Sequence, residues 1–544
     1  MSLKPVPSLA IPEETARVAH SVFPKGHPYL AVRDQLGPLF TDETFAALFP
    51  TRGRPAESPA RLALVTILQF AEGLSDRAAA DAVRSRIDWK YVLGLELTDP
   101  GFDASVLVEF RARLVAHEQT QLLFETLLQQ LQAAGLVKAR GRQRTDSTHV
   151  LAAVQDRNRL ECVWEAMRWA LQLLAQADPD WLRAVAPARW YEQYVRSPDR
   201  HGLVGQARRT YLEQIGADGH CLLEAVFNER PHLHRQPAME SLRQIWVQQF
   251  FLSAEGQVTW REVPNHPPSK QMIYSPHDAE ARWTYKRDTE WQGYKVHLTE
   301  TIEADAPQLI TDVQTAPAPE TDKEALSGIQ QRLAERDLLP TEHLVDAGYV
   351  TAQLLVDSQQ RGVTLLGPIM ADPSWQAKQN KGYAAADFQI DWERKQVLCP
   401  RGKMNASWKE RQADYGMEVV YVQFYRKDCA ACPARSDCTT TQTQRRTITF
   451  NTQPYYDAMQ AARQRQQTPA FQKQYAARAG VEGTISQAVH KMNLRQARYR
   501  GLVKVQFQHY ATAAALNLVR LGAWLQERPR AKTRSSPFWA LQAA

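Results

Sequence analysis

The chain is short of the features that carry a protein into or across a membrane. No uncharged apolar run approaches the roughly 20 residues needed to span a bilayer, which excludes a membrane-spanning helix. The opening Met-Ser-Leu-Lys-Pro-Val-Pro lacks the apolar stretch of a signal peptide. Cysteine is scarce, with 6 in 544 residues, so no disulfide scaffold is built. Four of the six fall within forty positions of one another, a grouping that points to metal rather than to oxidation. No internal repeat is visible. A soluble, cytosolic protein is the expectation.

What is present is an ordinary globular balance, 44% hydrophobic and 23% charged, in a chain too long for one core. Several domains are expected. The net charge of +7 favours a polyanionic partner, because Lys and Arg that neutralise phosphates release counterions. Charge alone does not decide this, since many basic proteins bind no nucleic acid.

Residues 1–138 read as helical. Leu64, Ile67, Leu68 and Ala71 share one face of a helix over 61–72, a Gly73-Leu74-Ser75 turn follows, and 76–85 continues as a second helix. The pair fits either a helix-turn-helix or a plain bundle. Helical spacing returns from Leu160 to Leu174 and persists towards Phe251. Strand texture follows over 291–301 and 309–315, then a helix over 322–336 and a buried strand over 342–350. This order predicts a mixed α/β core. Residues 371–462 are polar, strand-like and cysteine-bearing. Strong helix signals run from 469 to about 525, and the basic stretch 528–537 reads as a tail without a fold.

Cutting a phosphodiester requires polarised phosphorus and an activated oxygen nucleophile. Two divalent cations roughly 3.5–4 Å apart supply both, and such hard ions take carboxylate ligands. Asp146 and Asp346 each stand where an expected strand meets a turn, and Glu482 lies in an expected helix. Any one of 59 acidic residues has an ordinary alternative as a solvated or capping group. The context that separates Glu482 is its spacing from Tyr475 and Arg478, at i, i+3 and i+7, which puts the three on one face of a helix.

These residues resemble the signature of the DDE transposases of bacterial insertion sequences, closest to the group numbered eleven-eighty-two, whose catalytic domains share a Y-R-E-K motif. The motif reads Tyr475-Ala-Ala-Arg478-Ala-Gly-Val-Glu482. The two aspartate motifs read Arg144-Thr145-Asp146-Ser147-Thr148-His149 and Leu344-Val345-Asp346-Ala347-Gly348-Tyr349. Gly293-Tyr294-Lys295-Val296-His297 is similar to a family strand. The signature lysine, expected seven residues after Glu482, is absent. Val489 stands there, and on an ideal helix Lys491 falls on the opposite face.

The resemblance implies an α/β multidomain protein with an RNase H-like mixed sheet and flanking helices. A helical DNA-binding domain would occupy 1–138. The catalytic domain would be assembled from 139–152, 280–370 and 463–525. A helical insertion would fill 153–262, a cysteine-bearing insertion 371–462, and a basic tail 526–544. Two Mg²⁺ or Mn²⁺ ions would be held by Asp146, Asp346 and Glu482. The implied partners are double-stranded DNA, both element terminal inverted repeats and target, and further copies of the chain in a homodimer or larger assembly. The implied location is the bacterial cytoplasm, associated with the nucleoid.

Cys399 in a Cys-Pro-Arg-Gly turn, the Cys429-x₂-Cys432 pair and Cys438 suit tetrahedral Zn²⁺. An iron–sulfur cluster uses the same ligands, and reduced cysteines that bind nothing are the third reading. Cys162 and Cys221 read as core residues. For DNA, the candidates are Tyr475, Arg478, Lys491, Arg495, Arg498 and Lys295, with Arg500 and Lys504 extending the stripe. In the first domain, Arg52, Arg54, Arg61, Arg84 and Arg86 carry charge of the same sign. The 14 tryptophans read as core. A plain metal-dependent nuclease and a DNA-binding descendant that no longer cuts share these residues as alternative functions.

Overall fold

A computed structural model describes residues 2–6, 9–154, 158–195, 205–286, 289–413 and 416–529. Most of the expected tail, 530–544, lies outside the described residues. The chain divides into two compact units. The first comprises 1–138, 147–320 and 482–544, and the second 139–146 and 321–481. Two of the four boundaries, 146/147 and 481/482, fall within regular elements, as described below.

In the first unit, the helix Pro59–Glu72 starts on the Ser58 side chain and Pro59 and ends at Gly73 in the left-handed region (φ 68°). Its residues 62–70 are all buried, so the first member of the expected helix pair is core. Ser75 caps the second, Asp76–Ser85, which keeps Arg77, Asp81 and Arg84 outside. The apolar helix Leu502–Leu525 is buried nearly all round, as expected of a helix that is hydrophobic on every side. It meets the N-terminal helices through Phe507 on Phe70 and Tyr510 on Phe124. Its other side meets the sheet, where the Asn517 side chain both accepts from the Ile310 N–H and donates to the Ile310 carbonyl.

The sheet begins with β1 (Arg142–Leu151), whose residues from Ser147 belong to this unit. A hairpin of β2 (Phe250–Leu252) and β3 (Val258–Trp260) closes a helical region. That region, built on Arg159–Ala177, Gly205–Glu229 and Pro237–Gln249, has its own core of Trp164, Met167, Leu222, Leu242 and Trp246. The tryptophans Trp164, Trp181 and Trp190 are core there, as their sequence context indicated. Cys162 is also buried, but Cys221 is exposed on the long helix, contrary to expectation. β4 (Arg282–Lys286), β5 (Thr289–Thr301) and β6 (Ile310–Pro317) then pair antiparallel in succession. Gly293 of β5 has φ 153°, and an added Cβ there would strike the backbone of Val150 and Ala152.

In the second unit, residues up to Asp146 of β1 pair in parallel with β7 (Glu342–Leu344), which pairs in parallel with β8 (Thr364–Leu366). The helices Asp322–Glu335, Ala352–Gln360 and Gln453–Gln466 carry this sheet's surrounding core of Leu326, Val345, Tyr349, Leu355 and Leu365. The cysteine region holds β9 (Gln389–Asp391), β10 (Gln396–Leu398), β11 (Asn405–Gln412), β12 (Glu418–Phe424) and β13 (Thr447–Asn451). The mixed α/β character expected from the order of elements is therefore present. The expected strand over 342–350 is cut short at Leu344 because Asp346 starts a turn. The expected helix from 469 to 525 is interrupted at 476–479 and again at 493–501.

Candidate functional site

Asp146 and Asp346 belong to neighbouring parallel strands in different ways: Asp146 lies within its strand rather than at the strand–turn junction expected, and Asp346 follows the end of its strand. β1 and β7 pair with Arg144 opposite Leu344. Two residues beyond this last pair (144 + 2 and 344 + 2) stand Asp146, inside its strand, and Asp346, in the turn that follows Leu344. Asp346 Oδ1 accepts from the Gly348 N–H at 2.7 Å and caps the turn Ala347–Tyr349. Gly348 matters for what surrounds it: an added Cβ would lie 3.0 Å from an oxygen of Asp322 and 3.0 Å from one of Asp346. Asp322, buried at the start of its helix, is thus a second carboxylate beside this turn. Sequence reading missed it because Thr-Asp-x-Glu at a helix start is fully explained by capping.

Asp146 is held by Arg478, whose Nη2 donates to Asp146 Oδ2 at 2.7 Å. Behind this face, Thr145 points the other way and its hydroxyl bonds His343 Nε2 at 2.6 Å in a fully buried pair. Arg144, also buried, donates to the Ala477 carbonyl. The Ala477 carbonyl also accepts from the Gly480 N–H, and an added Cβ at Gly480 would run into the Arg144 guanidinium. The segment that carries Tyr475, Arg478 and Glu482 is not one regular α-helix but an α-helix, a 3₁₀ turn and a second α-helix in direct succession. Tyr475 ends the helix Pro469–Tyr475, Arg478 lies in the 3₁₀ turn Ala476–Ala479, and Glu482 stands in the first turn of Gly480–Met492.

Glu482 opens the part of that helix belonging to the first unit, and its side chain is exposed. The helix buries Val481, Thr484, Ile485, Ala488 and Met492. Val489 is half-buried and Lys491 is exposed on another side. Within the first unit the helix is pinned by a buried ion pair. Arg520 Nη1 meets Glu300 Oε2 of β5 at 2.6 Å, and Thr484 Oγ1 donates to the same oxygen at 2.7 Å. Arg520 also donates to Thr484 Oγ1 at 2.7 Å and to Gln487 at 3.1 Å.

The expected DNA contacts fall in different settings. Lys491 is the exposed one of the six. Tyr475 stacks on Phe471 at 5.4 Å with ring planes 7° apart. Lys295 is buried, its Nζ donating to the Glu320 carbonyl at 2.5 Å. Arg495 and Arg498 are not on a helix but in the connection 493–501. The Arg495 carbonyl and the Ala497 N–H pair with Leu151 at the end of β1, while Arg495 Nε donates to Thr148 at 2.9 Å. Arg498 lies over Phe70, 4.6 Å from the ring centre, and burial holds its pKa below the usual arginine value. Burial and, secondarily, the Arg495 charge lower the His149 pKa and keep that imidazole neutral near pH 7. In the N-terminal part, Arg86 is tied to Glu72 and Asp88, and Arg61 to the carbonyls of Leu93 and Gly94. Arg52, Arg54 and Arg84 remain on the surface.

Cys399, Cys429, Cys432 and Cys438 line one pocket of the second unit and are all free thiols. Among the described residues, no group of three or more His, Cys, Asp or Glu side chains converges into a ready-made metal site. No helix of the described residues is long and apolar enough to cross a membrane.

Two segments of the chain match families of transposase domains. Residues 398–522, which include Glu482 and all four clustered cysteines, match the family model described as transposase DDE domain. Residues 17–113, the N-terminal helices, match the transposase domain DUF772. No curated protein and no solved structure matches the chain.

Proposed function

We propose that this protein is a DNA transposase that binds the terminal inverted repeats of its element, cleaves there and joins the freed ends to target DNA. The observation that carries the reading is the pair of transposase-domain matches, in a chain whose parallel strands Arg142–Leu151 and Glu342–Leu344 bring the segments bearing Asp146 and Asp346 side by side. The mixed sheet with its flanking helices accords with an RNase H-like catalytic domain, and the Y-R-E spacing with the insertion-sequence group that the signature resembles.

All three proposed ligands are carboxylates, a donor set suited to Mg²⁺ or Mn²⁺. Asp146, Asp346 and Glu482 would hold the ions. Bound divalent cations supply charge neutralisation at the phosphate and lower the pKa of the attacking oxygen. Arg478 fixes the Asp146 carboxylate through its 2.7 Å bond, and the Gly348 N–H fixes Asp346. Exposed Lys491 and the basic connection after Met492 would position phosphates without reading bases. Water attacks the phosphodiester and leaves a 3′-hydroxyl and a 5′-phosphate. The 3′-hydroxyl then attacks target DNA, one P–O bond forming as another breaks. No serine or tyrosine nucleophile is required. Two element ends have to be brought together, so a dimer or larger assembly acts.

The test is Mg²⁺-dependent cleavage of DNA carrying the element's ends, comparing wild type with Glu482→Gln alongside a gel-shift measurement. Cleavage lost with binding retained is expected. Equal cleavage by both proteins would remove Glu482 from the mechanism. Binding without cleavage by the wild type would favour a descendant that no longer cuts, and cleavage without joining of precut ends a plain nuclease.

A further inference from the structure

The cysteine region has a small core, formed by Phe388, Val397, Val420, Val422, Phe424, Ile448 and Phe450. So few buried side chains supply limited stability, and small domains of this kind are often stapled by a metal. Around this core the fold brings four thiols from three local devices to one pocket. Cys399 follows β10 and opens a tight turn: its carbonyl accepts from the Gly402 N–H at 2.8 Å, with Gly402 at φ 73°. The turn aims the Lys403 N–H at Cys399 Sγ, 3.3 Å away. Cys429 lies in the helix Arg426–Ala430 and receives the Arg446 N–H on its sulfur at 3.5 Å. Cys432 follows one turn later, its N–H on the Cys429 carbonyl. Cys438 ends the helix Arg435–Cys438.

Arg446 lines the same pocket. Its guanidinium is held by the carbonyls of Cys438 at 2.8 Å and Tyr383 at 3.3 Å, and its Nε is buried with no hydrogen-bond partner. A half-buried guanidinium with an unanswered donor thus stands beside four cysteine sulfurs, two of which receive backbone N–H groups.

We propose that Cys399, Cys429, Cys432 and Cys438 form a tetrathiolate Zn²⁺ site that staples this region. Four protein sulfurs fill a tetrahedral shell and leave no position for substrate, so the role is structural. The reaction is Zn²⁺ + 4 RSH → Zn(SR)₄²⁻ + 4 H⁺. The two N–H···S bonds and the Arg446 guanidinium offset the charge of the complex. The sulfurs line one pocket without standing as a ready-made ligand set, so metal binding would require their side chains to reorient. This inference is independent of the DNA chemistry.

The experiment is metal analysis of the purified full-length protein, with Cys432→Ser and with Cys221→Ser as the control outside the cluster. One equivalent of zinc per chain is expected in wild type and in Cys221→Ser, and none in Cys432→Ser. Should Cys432→Ser not fold, the wild type alone decides. After chelation, added Co²⁺ should give intense thiolate-to-metal absorption, and Zn²⁺ should protect four thiols from a thiol reagent. Zinc absent, with thiol reactivity unchanged by added Zn²⁺, would overturn the proposal. Iron with acid-labile sulfide would overturn it in favour of a cluster.

Discussion

Arg478 Nη2 lies 2.7 Å from Asp146 Oδ2, and each side chain retains only 15% of its exposure. A guanidinium on this carboxylate competes with any cation Asp146 is to hold. Arg478→Gln should therefore tighten Mn²⁺ binding to the DNA-free protein by about tenfold, on the order of 1.4 kcal/mol, while slowing cleavage. Calorimetric titration reads the affinity. An unchanged value would take Asp146 out of the cation site.

Gly480 has no room for a side chain because the buried Arg144 guanidinium, anchored on Ala477, occupies that space. Gly480→Ala should destabilise the protein by about 1–3 kcal/mol through overpacking. Displacing Arg144 also disturbs the strand bearing Asp146, so cleavage should fall further than DNA binding. A variant with wild-type unfolding midpoint and wild-type cleavage would show that Arg144 moves aside freely.

Glu300 is fully buried and takes its charge partner from Arg520. Arg520→Met should cost about 3–5 kcal/mol, because the remaining carboxylate loses its cation in a dry site. Adding Glu300→Gln should recover much of that loss. Denaturant unfolding of the wild type and the two variants measures both steps, and a single variant as stable as wild type contradicts the argument.

His509 is wholly buried on the helix Leu502–Leu525, with Nδ1 against the Thr315 hydroxyl at 2.7 Å. Burial pushes its pKa down from 6.5 to about 3. Below pH 6.5 the unfolded chain takes up a proton that the folded one refuses, so stability falls as pH drops from about 6.5 to about 3. The loss is about 1.4 kcal/mol per pH unit, or roughly 2 kcal/mol at pH 5 relative to pH 7. His509→Gln should flatten this dependence. Equal acid sensitivity in variant and wild type would assign it to other groups.

Elements governed by local patterns were legible in the sequence. The helix Asp76–Ser85 and the strands around Val296 and Val313 follow from capping and alternation, and Asp346 stands in the turn after a short strand as expected, whereas Asp146 lies inside the strand Arg142–Leu151 and not at its end. What was not legible depends on residues far apart in sequence. A 3₁₀ stretch over Ala476–Ala479, where Arg144 reaches the Ala477 carbonyl, interrupts the regular α-helix that periodicity runs straight through. Pairing of Leu151 with the connection 493–501 ends another, and Arg495 leaves its helical face with it. Lys295 looks like a surface cation until the sheet buries it. Asp322 was hidden by its ordinary role as a helix-starting acid.

The pairing of β1 with β7 also sets a condition on how the protein is made. Arg142 finds its partner Glu342 only 200 residues later (342 − 142). At 5–20 residues per second, the ribosome delivers that partner roughly 10–40 s after the first strand has emerged. During that interval the edge of Arg142–Arg144 waits without its parallel neighbour, in the open state that invites pairing with other chains. Nascent chains truncated before β7 therefore expose a sticky strand, and their solubility depends on chaperone cover until Leu344 has been added.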